Sequence, residues 1–474
     1  MIQRVTRRRV LQTSAASLGY FLTAPALSAA RTLGANEKLR VAGIGVGGKG
    51  GSDIEQAGNL MQVVALCDVD EQRSGGAADK FRDAKRFFDY RKMLDQMGKQ
   101  IDAVTVSTAD HSHAPAAVLA MRAGKHVYCQ KPLTHTVAEA RLLRETAAKF
   151  GVCTQMGNQG SAHNGLRRAV ELVQSGILGP IKEAHVWTNR PWVYWKQAPD
   201  YITRPKSTPP VPQNLHWDEW LGPAPERPYA VQPDKKPAYH PHDWRGWWDF
   251  GTGALGDMAC HTTNMAFRAL KLDAPIAVSA ISGAINPETY PAWARIDYHY
   301  AARGELPPVT LHWYEGKKDG ELVLPPQELL AKLLKKGEKL SASGSILVGE
   351  KGTLFSPNDY GAQFRFTPEK DFEGIQTTTP EKLPAGVATD KGVDQQQKKE
   401  WVEAIKANKP AMAYSNFDFA GRLTEAMLLG NIAVRFSGEK LEWNAAKLQF
   451  ANSQKATALV SKEYRKGWDV ATIG

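Results

Sequence analysis

Gly45-Val46-Gly47-Gly48-Lys49-Gly50 is a G-x-G-x-x-G stretch that follows an apolar run at 39–44 and precedes a helical pattern. Glycines between a strand and a helix let the backbone come close to a pyrophosphate, whose charge then lies at the N-terminus of the helix. The motif is weak by itself, so its meaning depends on the residues around it.

The second predicted strand, 62–67, strengthens the motif because it ends at Asp68, roughly twenty residues after the glycines. A carboxylate at this place accepts hydrogen bonds from ribose hydroxyls and repels a 2′-phosphate. We therefore expect NAD in preference to NADP. The alternative is that Asp68 only caps a helix that begins near Glu71.

Short apolar strands alternate with amphipathic helices from residue 39 to about residue 156. This alternation predicts an α/β fold with a doubly wound parallel sheet, a Rossmann domain that we assign to residues 36–160. The predicted strands are 39–44, 62–67, 103–107, 126–129 and 152–156, and the clearest helices are 113–123 and 136–150.

Lys131 follows the fourth predicted strand, and Pro132 keeps it out of helical geometry. Open α/β sheets bind their ligands at the carboxyl ends of the strands. We therefore expect Lys131 to lie in a binding site, the alternative being a solvated lysine that caps the strand.

Asp257 and His261 lie four residues apart at the start of a predicted helix that runs to about residue 270. This spacing puts both side chains on one face, where the carboxylate can orient the imidazole and raise its proton affinity. The alternative is a capping aspartate with a stabilising histidine.

Eight of the thirteen tryptophans and twelve of the twenty-eight prolines fall between residues 187 and 250. Such a stretch cannot be regular helix or sheet, which predicts a long ordered loop, 190–256, that buries its rings. The aromatic faces suit polyhydroxylated rings. They could equally form a small core or a subunit contact.

Past residue 270 the polarity alternates with period two, as in an antiparallel sheet packed on one side. We predict strands at 276–285, 292–301, 309–314, 345–348 and 363–366, a surface helical insertion at 322–339, and helices at 395–407 and 417–435, the last packed between domains. We assign 161–445 to a second domain for substrate binding and oligomerisation, and 446–474 to a segment that packs on both domains.

The glycine motif, Gln130-Lys131-Pro132 and the stretch from Asp257 to His261 occur in an order typical of one family. The chain after its first thirty residues resembles the glucose-fructose oxidoreductase, inositol dehydrogenase and MocA (Gfo/Idh/MocA) family. The resemblance implies a Rossmann domain and an α+β domain with an open-faced, mainly antiparallel sheet. Most members have Glu-Lys-Pro at this motif, so Gln130 removes a charge beside Lys131.

The resemblance also implies residue roles, with His261 as the acid/base for the substrate hydroxyl, Asp257 as its neighbour and Lys131 polarising the reacting oxygen. The expected catalytic residues are Lys131, Asp257 and His261. The expected cofactor-binding residues are Gly45, Gly47, Gly48, Gly50, Asp68, Thr108, His111, His113, Gln130, Lys131, Asn158 and Gln159. The expected substrate-binding residues are Arg190, Trp195, Trp244, Arg245, Trp248, Asp257 and His261.

His111 and His113, together with Asp257 and His261, could instead supply four metal ligands, because imidazole and carboxylate suit zinc or manganese. Hydride transfer from a carbinol to nicotinamide needs no metal when Lys131 and His261 handle the proton. We therefore expect no metal ion.

Residues 1–30 have the pattern of a twin-arginine export signal, with Thr6-Arg7-Arg8-Arg9-Val10-Leu11-Gln12 followed by an uncharged, moderately apolar region and small residues for cleavage. Such signals direct proteins that cross the membrane already folded. We expect a periplasmic or other extracytoplasmic location, the alternative being a cytosolic protein with a frayed basic tail.

The 474 residues are 42% hydrophobic and 23% charged, as in ordinary globular proteins. The sequence has no clustered basic run of the kind that binds nucleic acid, and beyond the signal it has no apolar stretch long enough to span a membrane. Cys67, Cys129, Cys153 and Cys260 form no CxxC pair, which predicts buried free thiols.

We therefore expect an exported NAD(P)-dependent oxidoreductase that acts on a hydroxyl of a sugar or sugar derivative. Its cofactor should be tightly bound, because free nicotinamide is scarce outside the cytoplasm, and its sheet should mediate homo-oligomers. Two alternatives remain open: redox-neutral, NAD-dependent cleavage of a glycoside by oxidation and elimination, and non-catalytic binding of a sugar or nucleotide, which Gln130 would permit.

Overall fold

The computed structural model describes residues 38–378 and 392–469. The predicted export signal, residues 1–30, lies outside the described residues. Within them, no helix has both the length and the apolar character needed to cross a membrane. The four cysteines are free and buried, which confirms the prediction for these thiols.

The first domain is built on a parallel sheet with the strand order β3-β2-β1-β4-β5-β6. Its strands are β1 (Arg40–Ile44), β2 (Gln62–Cys67), β3 (Lys85–Phe87), β4 (Ala103–Val106), β5 (His126–Cys129) and β6 (Thr154–Met156). Its helices are α1 (Lys49–Gly58), α2 (Gly75–Lys80), α3 (Tyr90–Met97), α4 (His113–Arg122) and α5 (Val137–Phe150). The order reverses between β1 and β4, so a ligand crevice lies at the carboxyl ends of these two strands. The predicted Rossmann fold is confirmed.

Local sequence explains where the best-defined helix begins and ends. α5 starts at a capping box, in which Thr136 accepts a hydrogen bond from the Glu139 N–H and the Glu139 carboxylate accepts one from the Thr136 N–H. It stops at Gly151, whose φ of +62° is a left-handed conformation that suits glycine. The sequence did not predict β3, because its exposed Lys85 and Arg86 show no apolar pattern.

The second domain contains a larger sheet, in which the described strands run β14-β13-β12-β7-β10-β9-β8-β15-β16, with β11 paired to β10. The described pairs are antiparallel except β7 with β10, so the sheet is mainly antiparallel, as predicted. The strands are β7 (Ile181–Thr188), β8 (Ala277–Ser282), β9 (Trp293–Tyr300), β10 (Val309–Lys318), β11 (Glu321–Leu322), β12 (Ser343–Gly349), β13 (Thr353–Ser356), β14 (Arg365–Thr367), β15 (Lys440–Asn444) and β16 (Gln449–Phe450). The helices are α6 (Asn164–Gln174), α7 (Trp217–Leu221), α8 (Gly253–Thr262), α9 (Asn264–Ala269), α10 (Gln327–Leu333), α11 (Val393–Lys406), α12 (Phe417–Val434) and α13 (Gln454–Thr457).

α12 lies between the two sheets and contacts elements of both domains. Arg141 of α5 forms an ion pair with Glu425 at 2.6 Å, while the Tyr298 hydroxyl of β9 donates to the Met427 carbonyl at 2.7 Å. This agrees with the position predicted for the helix at 417–435.

Two sequence predictions need correction. The stretch 187–250 is not free of regular structure, because Trp187 lies in strand β7 and helix α7 begins at Trp217. The predicted surface insertion at 322–339 is helical only at α10. Its Leu330 and Leu333 are buried in a cluster with Trp187, while Lys332 is exposed, so α10 covers part of the sheet and keeps the solvated basic side that was predicted.

After residue 446, β16 belongs to the second sheet, and residues 460–468 pack on the first domain. Lys462 donates to the His111 carbonyl at 3.2 Å and lies 3.2 Å from the Glu139 carboxylate. Trp468 lies beneath the guanidinium of Arg91, 3.7 Å from the ring centroid. Residues distant in sequence therefore complete one side of the first domain.

A buried carboxylate, that of Asp53 in α1, joins α11 to the glycine turn. Its Oδ1 atom lies 2.7 Å from Lys398 Nζ, and both side chains are fully buried. Its Oδ2 atom accepts hydrogen bonds from Ser107 Oγ at 2.9 Å and from Gln130 Nε2 at 2.7 Å. Lys49, which is partly exposed, forms a second ion pair with Oδ1 at 2.9 Å.

We expect the Lys398→Met variant to lose about 3 kcal/mol of unfolding free energy, because removing one partner of a buried ion pair leaves the other without full compensation. Methionine keeps most of the apolar stem, so the change tests the charge. Urea unfolding of the purified protein measures the loss.

The matched control is Lys406→Met on the same helix, where the lysine is exposed and pairs with Glu403. This control should stay within about 0.5 kcal/mol of the parent. Equal unfolding midpoints for the two variants would contradict a stabilising role for the Lys398 pair.

Candidate active site

A cavity of about 500 Å³ opens at the carboxyl ends of the first-domain strands and extends to α8 of the second domain. Its walls include residues of the glycine turn as well as Lys131 and His261. Of the residues predicted for the site, those that line it are Gly45, Gly47, Gly48, Asp68, Thr108, His111, Gln130, Lys131, Gln159, Arg190, Trp195, Trp244, Arg245, Asp257 and His261.

The backbone of the glycine turn packs closely against neighbouring backbone at Gly45 and Gly50, where a side chain would not fit. Gly45 has φ +73°, and a Cβ atom there would stand 2.7 Å from the Ser107 carbonyl oxygen. A Cβ at Gly50 would stand 2.0 Å from the Gly45 carbonyl oxygen, so Gly50 serves the packing of α1 against the turn and does not line the cavity. The bare backbone of this turn fits the pyrophosphate of a dinucleotide.

Asp68 fixes the turn to the end of β2. Its Oδ2 atom accepts hydrogen bonds from the N–H groups of Val46 and Gly47, at 2.7 and 2.9 Å. Burial raises the pKa of Asp68, and the backbone hydrogen bonds oppose that rise. The alternative that Asp68 only caps a helix is wrong, because α2 begins at Gly75 and its N-cap position is Ser74.

Lys131 forms an ion pair with Asp257 across the cavity wall. Its Nζ atom lies 2.6 Å from Asp257 Oδ1 and donates to the Asp257 carbonyl at 3.0 Å. Arg245 Nε lies 3.4 Å from the same carboxylate oxygen. Burial alone would raise the pKa of Asp257, but the two cations lower it below its usual range, so the carboxylate stays charged.

The expectation that Asp257 orients His261 needs correction. The spacing does bring both onto one side of α8, but the charged ammonium of Lys131 takes the carboxylate. His261 Nδ1 is buried without a hydrogen-bond partner among the described residues, and the ring edge contacts Tyr360. Burial, with a further contribution from Lys131, lowers the pKa of His261 to about 3. The imidazole is therefore neutral, and its proton affinity is low in this surrounding.

Lys131 has a carboxylate partner although residue 130 is glutamine and not glutamate. The Gln130 amide donates to Asp53 and accepts from the Lys131 N–H at 3.2 Å, so it connects the lysine backbone to the buried Asp53–Lys398 pair. Asp257 supplies the counter-charge for the lysine side chain. A glutamate at position 130 would bring its carboxylate against that of Asp53.

Three more predicted site residues lie outside the cavity. His113 bonds the carbonyls of Pro132 and Thr108 through its two ring nitrogens. The Asn158 amide donates to the Cys260 carbonyl at 3.1 Å. The Trp248 ring lies against Tyr290 in a tilted arrangement with 3.8 Å between ring centroids, and it lines a separate cavity of about 330 Å³. Each of these side chains contacts other protein groups instead of the cavity.

The ring nitrogens of His111 are also taken, since they lie 3.2 and 3.0 Å from the carbonyls of Phe250 and Trp220. Burial lowers the pKa of His111 to about 3. In the described part of the chain, no group of three or more His, Cys, Asp or Glu side chains has the arrangement of a metal site.

Most of the tryptophan-rich loop forms a small core of its own, with Trp220, Trp247 and Phe250 at its centre. Trp195 and Trp244 lie on the cavity side, and Arg245 stacks on the Trp244 ring at 4.3 Å. The two interpretations of this loop, a core and a binding wall, therefore both hold, and Trp220 and Trp244 belong to the core and also line the cavity.

Sequence reasoning missed several residues that line the cavity. Asp110 stands next to the predicted His111, a neighbour that could have drawn attention to it. The others carry no motif and come from scattered segments: Arg73, Phe88, Trp220, His240, Asp359, Tyr360 and Trp468.

Two family models match the chain in succession. Residues 39–158 match the oxidoreductase family, NAD-binding Rossmann fold, and residues 164–307 match the oxidoreductase family, C-terminal alpha/beta domain. Together they span more than half of the sequence.

Curated relatives are similar over about a third of the chain. Inositol 2-dehydrogenase from Salmonella typhimurium is 30% identical over 152 residues, which are 31% of this chain and 45% of that protein. Alpha-N-acetylgalactosaminidase from Shewanella oneidensis is 31% identical over 157 residues, 31% of this chain and 34% of that protein. The chain thus spans less than half the length of the curated relatives it matches.

Solved structures share the fold over nearly the whole chain. Aldose-aldose oxidoreductase from Caulobacter crescentus, complexed with glycerol, has a TM-score of 0.53 at 16% identity and covers 86% of this chain and 100% of its own. An inositol dehydrogenase homolog from Azotobacter vinelandii, complexed with NADH and myo-inositol, has a TM-score of 0.56 at 15% identity, with 86% and 98% covered.

The NAD-binding domain of the family comes first in this chain and contains the glycine turn. The C-terminal domain follows it and contains α8. This chain therefore belongs to the Gfo/Idh/MocA oxidoreductase family.

Proposed function

We propose that the protein is an NAD-dependent oxidoreductase that removes a hydride from a hydroxyl-bearing carbon of a sugar or sugar derivative. The observation that supports this most is the single cavity that connects the glycine turn to Lys131 and His261. Membership of the family and the similarity to inositol 2-dehydrogenase support the same activity.

The cofactor would lie along the first-domain wall of the cavity. Gly45, Gly47 and Gly48 would receive the pyrophosphate, with Asp68 beside the adenosine ribose. Thr108, His111 and Gln130 would border the nicotinamide end. When bound there, NAD supplies the hydride acceptor.

Lys131 and His261 would handle the proton of the reacting hydroxyl. The Lys131 ammonium, fixed by Asp257, would donate a hydrogen bond to the reacting oxygen and favour its negative charge. His261, whose imidazole is neutral, would accept the hydroxyl proton, and Asp257 raises its proton affinity against the opposing effects of burial and Lys131. Asp257, close to both groups, would offset the positive charge that results.

The wall opposite the cofactor suits a polyhydroxylated ring. Trp195 and Trp244 offer apolar faces to C–H groups, while Arg190 and Arg245 offer donors to hydroxyls. We infer a sugar-like substrate from this combination.

A second candidate is redox-neutral cleavage of a glycoside, in which transient oxidation activates the substrate for elimination. It is favoured by the similarity to alpha-N-acetylgalactosaminidase and by the further carboxyl group of Asp110 in the cavity. Non-catalytic binding is less well supported. It was suggested because Gln130 lacks the negative charge of a glutamate beside Lys131, and Asp257 supplies a negative charge there.

The protein would be exported by the twin-arginine route, carry its NAD tightly and act outside the cytoplasm as a homo-oligomer formed through the second sheet. The basis for export and for tight binding is the sequence pattern of residues 1–30.

Gly45→Ala should remove most of the NAD that the wild-type protein carries through purification. A left-handed alanine costs about 1–2 kcal/mol, and its Cβ would press on the Ser107 carbonyl. Mass spectrometry of nucleotide released by acid measures the content.

Gly75→Ala is the matched control, because a Cβ there meets nothing within 4 Å. It should keep the wild-type NAD content. A Gly45→Ala protein that still holds as much NAD as this control would contradict the placement of the cofactor, and a wild-type protein without nicotinamide would contradict tight binding.

Lys131→Ala and His261→Ala should each lower turnover at least about a hundredfold, because each removes a group that acts on the reacting oxygen or its proton. The measurement is reduction of bound nicotinamide, followed by its absorbance, on mixing with a panel of sugars and methyl glycosides. Lys149→Ala, an exposed lysine on α5, is the control for a lost charge. Near-normal rates in both variants would remove the pair from the chemistry.

The double variant Arg7→Lys/Arg8→Lys should accumulate inside the cytoplasm, because twin-arginine signals are recognised by a receptor through this pair. Fractionation of cells that express the full chain measures the distribution. An unchanged extracytoplasmic fraction would argue against this route.

A further inference from the structure

We propose that Asp70 is a positioning residue for the cofactor. It attaches a segment of the second domain to the first domain beside Asp68, where the adenosine would lie, and NAD is thereby retained between turnovers. The segment comprises residues 214–242 and is called the strap below. The proposal rests on the proposed function, because it takes the ribose of NAD to lie at Asp68.

The strap joins the loop that follows β2 through its backbone. The Glu71 N–H donates to the Asn214 carbonyl at 2.9 Å, and the His216 N–H donates to the Val69 carbonyl at 2.8 Å. These two hydrogen bonds form a single antiparallel bridge between the segments. A bridge of this size opens easily by local fluctuation, so retention of the strap depends on side chains as well.

The Asp70 carboxylate holds the strap at two points. Its Oδ1 atom accepts a hydrogen bond from Asn214 Nδ2 at 2.9 Å, and its Oδ2 atom lies 2.7 Å from His240 Nε2. On its own side, Oδ1 also accepts hydrogen bonds from the N–H groups of Gln72 and Arg73, each at 3.1 Å. Asp70 is 5% exposed, so one buried carboxylate connects the two segments.

Asp70 remains charged in this position. Burial alone would raise the pKa of Asp70, but hydrogen bonds from His240, Arg73 and Asn214 lower it below its usual value. Hydrogen bonds to a charged carboxylate are stronger than those between neutral groups. The side-chain attachment is therefore stronger than the backbone bridge alone.

Ring stacking and apolar packing add to this attachment. The His216 ring stacks on Phe88, with 3.8 Å between ring centroids and 18° between ring planes. Val69 and Ala109 of the first domain pack against the small core to which Trp220 of the strap belongs. The strap thus meets the first domain with a folded core, not as an open loop.

The attached strap forms part of the cavity wall near Asp68. His240 lines the cavity and contacts Asp70, which follows Asp68 by two residues. Phe88, on which the His216 ring stacks, lines the cavity as well. NAD with its ribose at Asp68 would lie between the strap and the first domain, and it would leave when the strap parts from Asp70.

The test measures how fast the purified holoprotein exchanges its NAD with an excess of isotopically labelled NAD. Mass spectrometry of nucleotide released by acid gives the labelled fraction over time. Hydrogen–deuterium exchange of peptides from residues 67–74 and 212–222 measures opening of the strap in the same samples. The variants are Asp70→Asn and Asn214→Ala, since neither residue is among the described residues that line the cavity.

We expect the wild-type protein to exchange its NAD over hours. Each variant should exchange it at least about tenfold faster, because a hydrogen bond that involves the charged carboxylate is lost or weakened. Deuterium uptake in both peptides should rise in parallel, while uptake in β1 should match the wild type. Two variants are used so that a folding defect in one leaves the other to decide.

The matched control is Asp234→Asn, which removes a charge from an exposed part of the strap. The Asp234 carboxylate accepts a hydrogen bond from the Lys236 N–H within the strap itself. NAD exchange by this variant should stay within about twofold of the wild-type rate.

NAD exchange at the wild-type rate in both variants would overturn the proposal. Faster deuterium uptake in the strap without faster NAD exchange would also overturn it, because the attachment would then be structural only. Wild-type protein that exchanges its NAD within seconds would do the same. In these three cases the proposed oxidoreductase function would stand. Wild-type protein that binds no NAD would overturn the placement of the cofactor, and the inference with it.

Discussion

The ion pair between Lys131 and Asp257 connects the two halves of the site. The lysine ends a strand of the first domain, the aspartate lies on α8 of the second, and their atoms approach to 2.6 Å with little solvent exposure. A pair this buried is stable only with good geometry and further polar contacts. Here Lys131 also donates a hydrogen bond to the Asp257 carbonyl, and Arg245 forms a second ion pair with the Asp257 carboxylate. His261, a neutral group on the same helix as Asp257, lines the same cavity.

The sequence predicted the first domain well, because a glycine turn, an acid after β2 and alternating apolar runs have local causes. It also predicted that Lys131 and His261 belong to one site. It did not predict which group pairs with Asp257. A spacing of four residues indicates that Asp257 and His261 share a helix face, but it does not show that Lys131, distant in sequence, takes the carboxylate. The same limit explains Gln130, whose meaning depends on Asp53 and Lys398, far apart in sequence.

Composition was a weaker guide in the aromatic loop. It indicated that the rings are buried, but it could not separate Trp195 and Trp244, which border the cavity, from Trp248, which lines another. Ring position depends on how the loop folds around Trp247 and Phe250. Asp110 was missed for a related reason, because a lone aspartate before a histidine shows no sign of its burial or of its hydrogen bond from Thr252.

The packing of Trp468 and Lys462 on the first domain bears on how the protein matures. During translation the glycine turn and its parallel strands emerge early, yet one wall of the cleft comes from a tryptophan more than three hundred residues downstream. A nascent chain halted before that point would present an open, one-sided groove to any nucleotide. The cleft therefore has all of its walls only when the chain extends to Trp468.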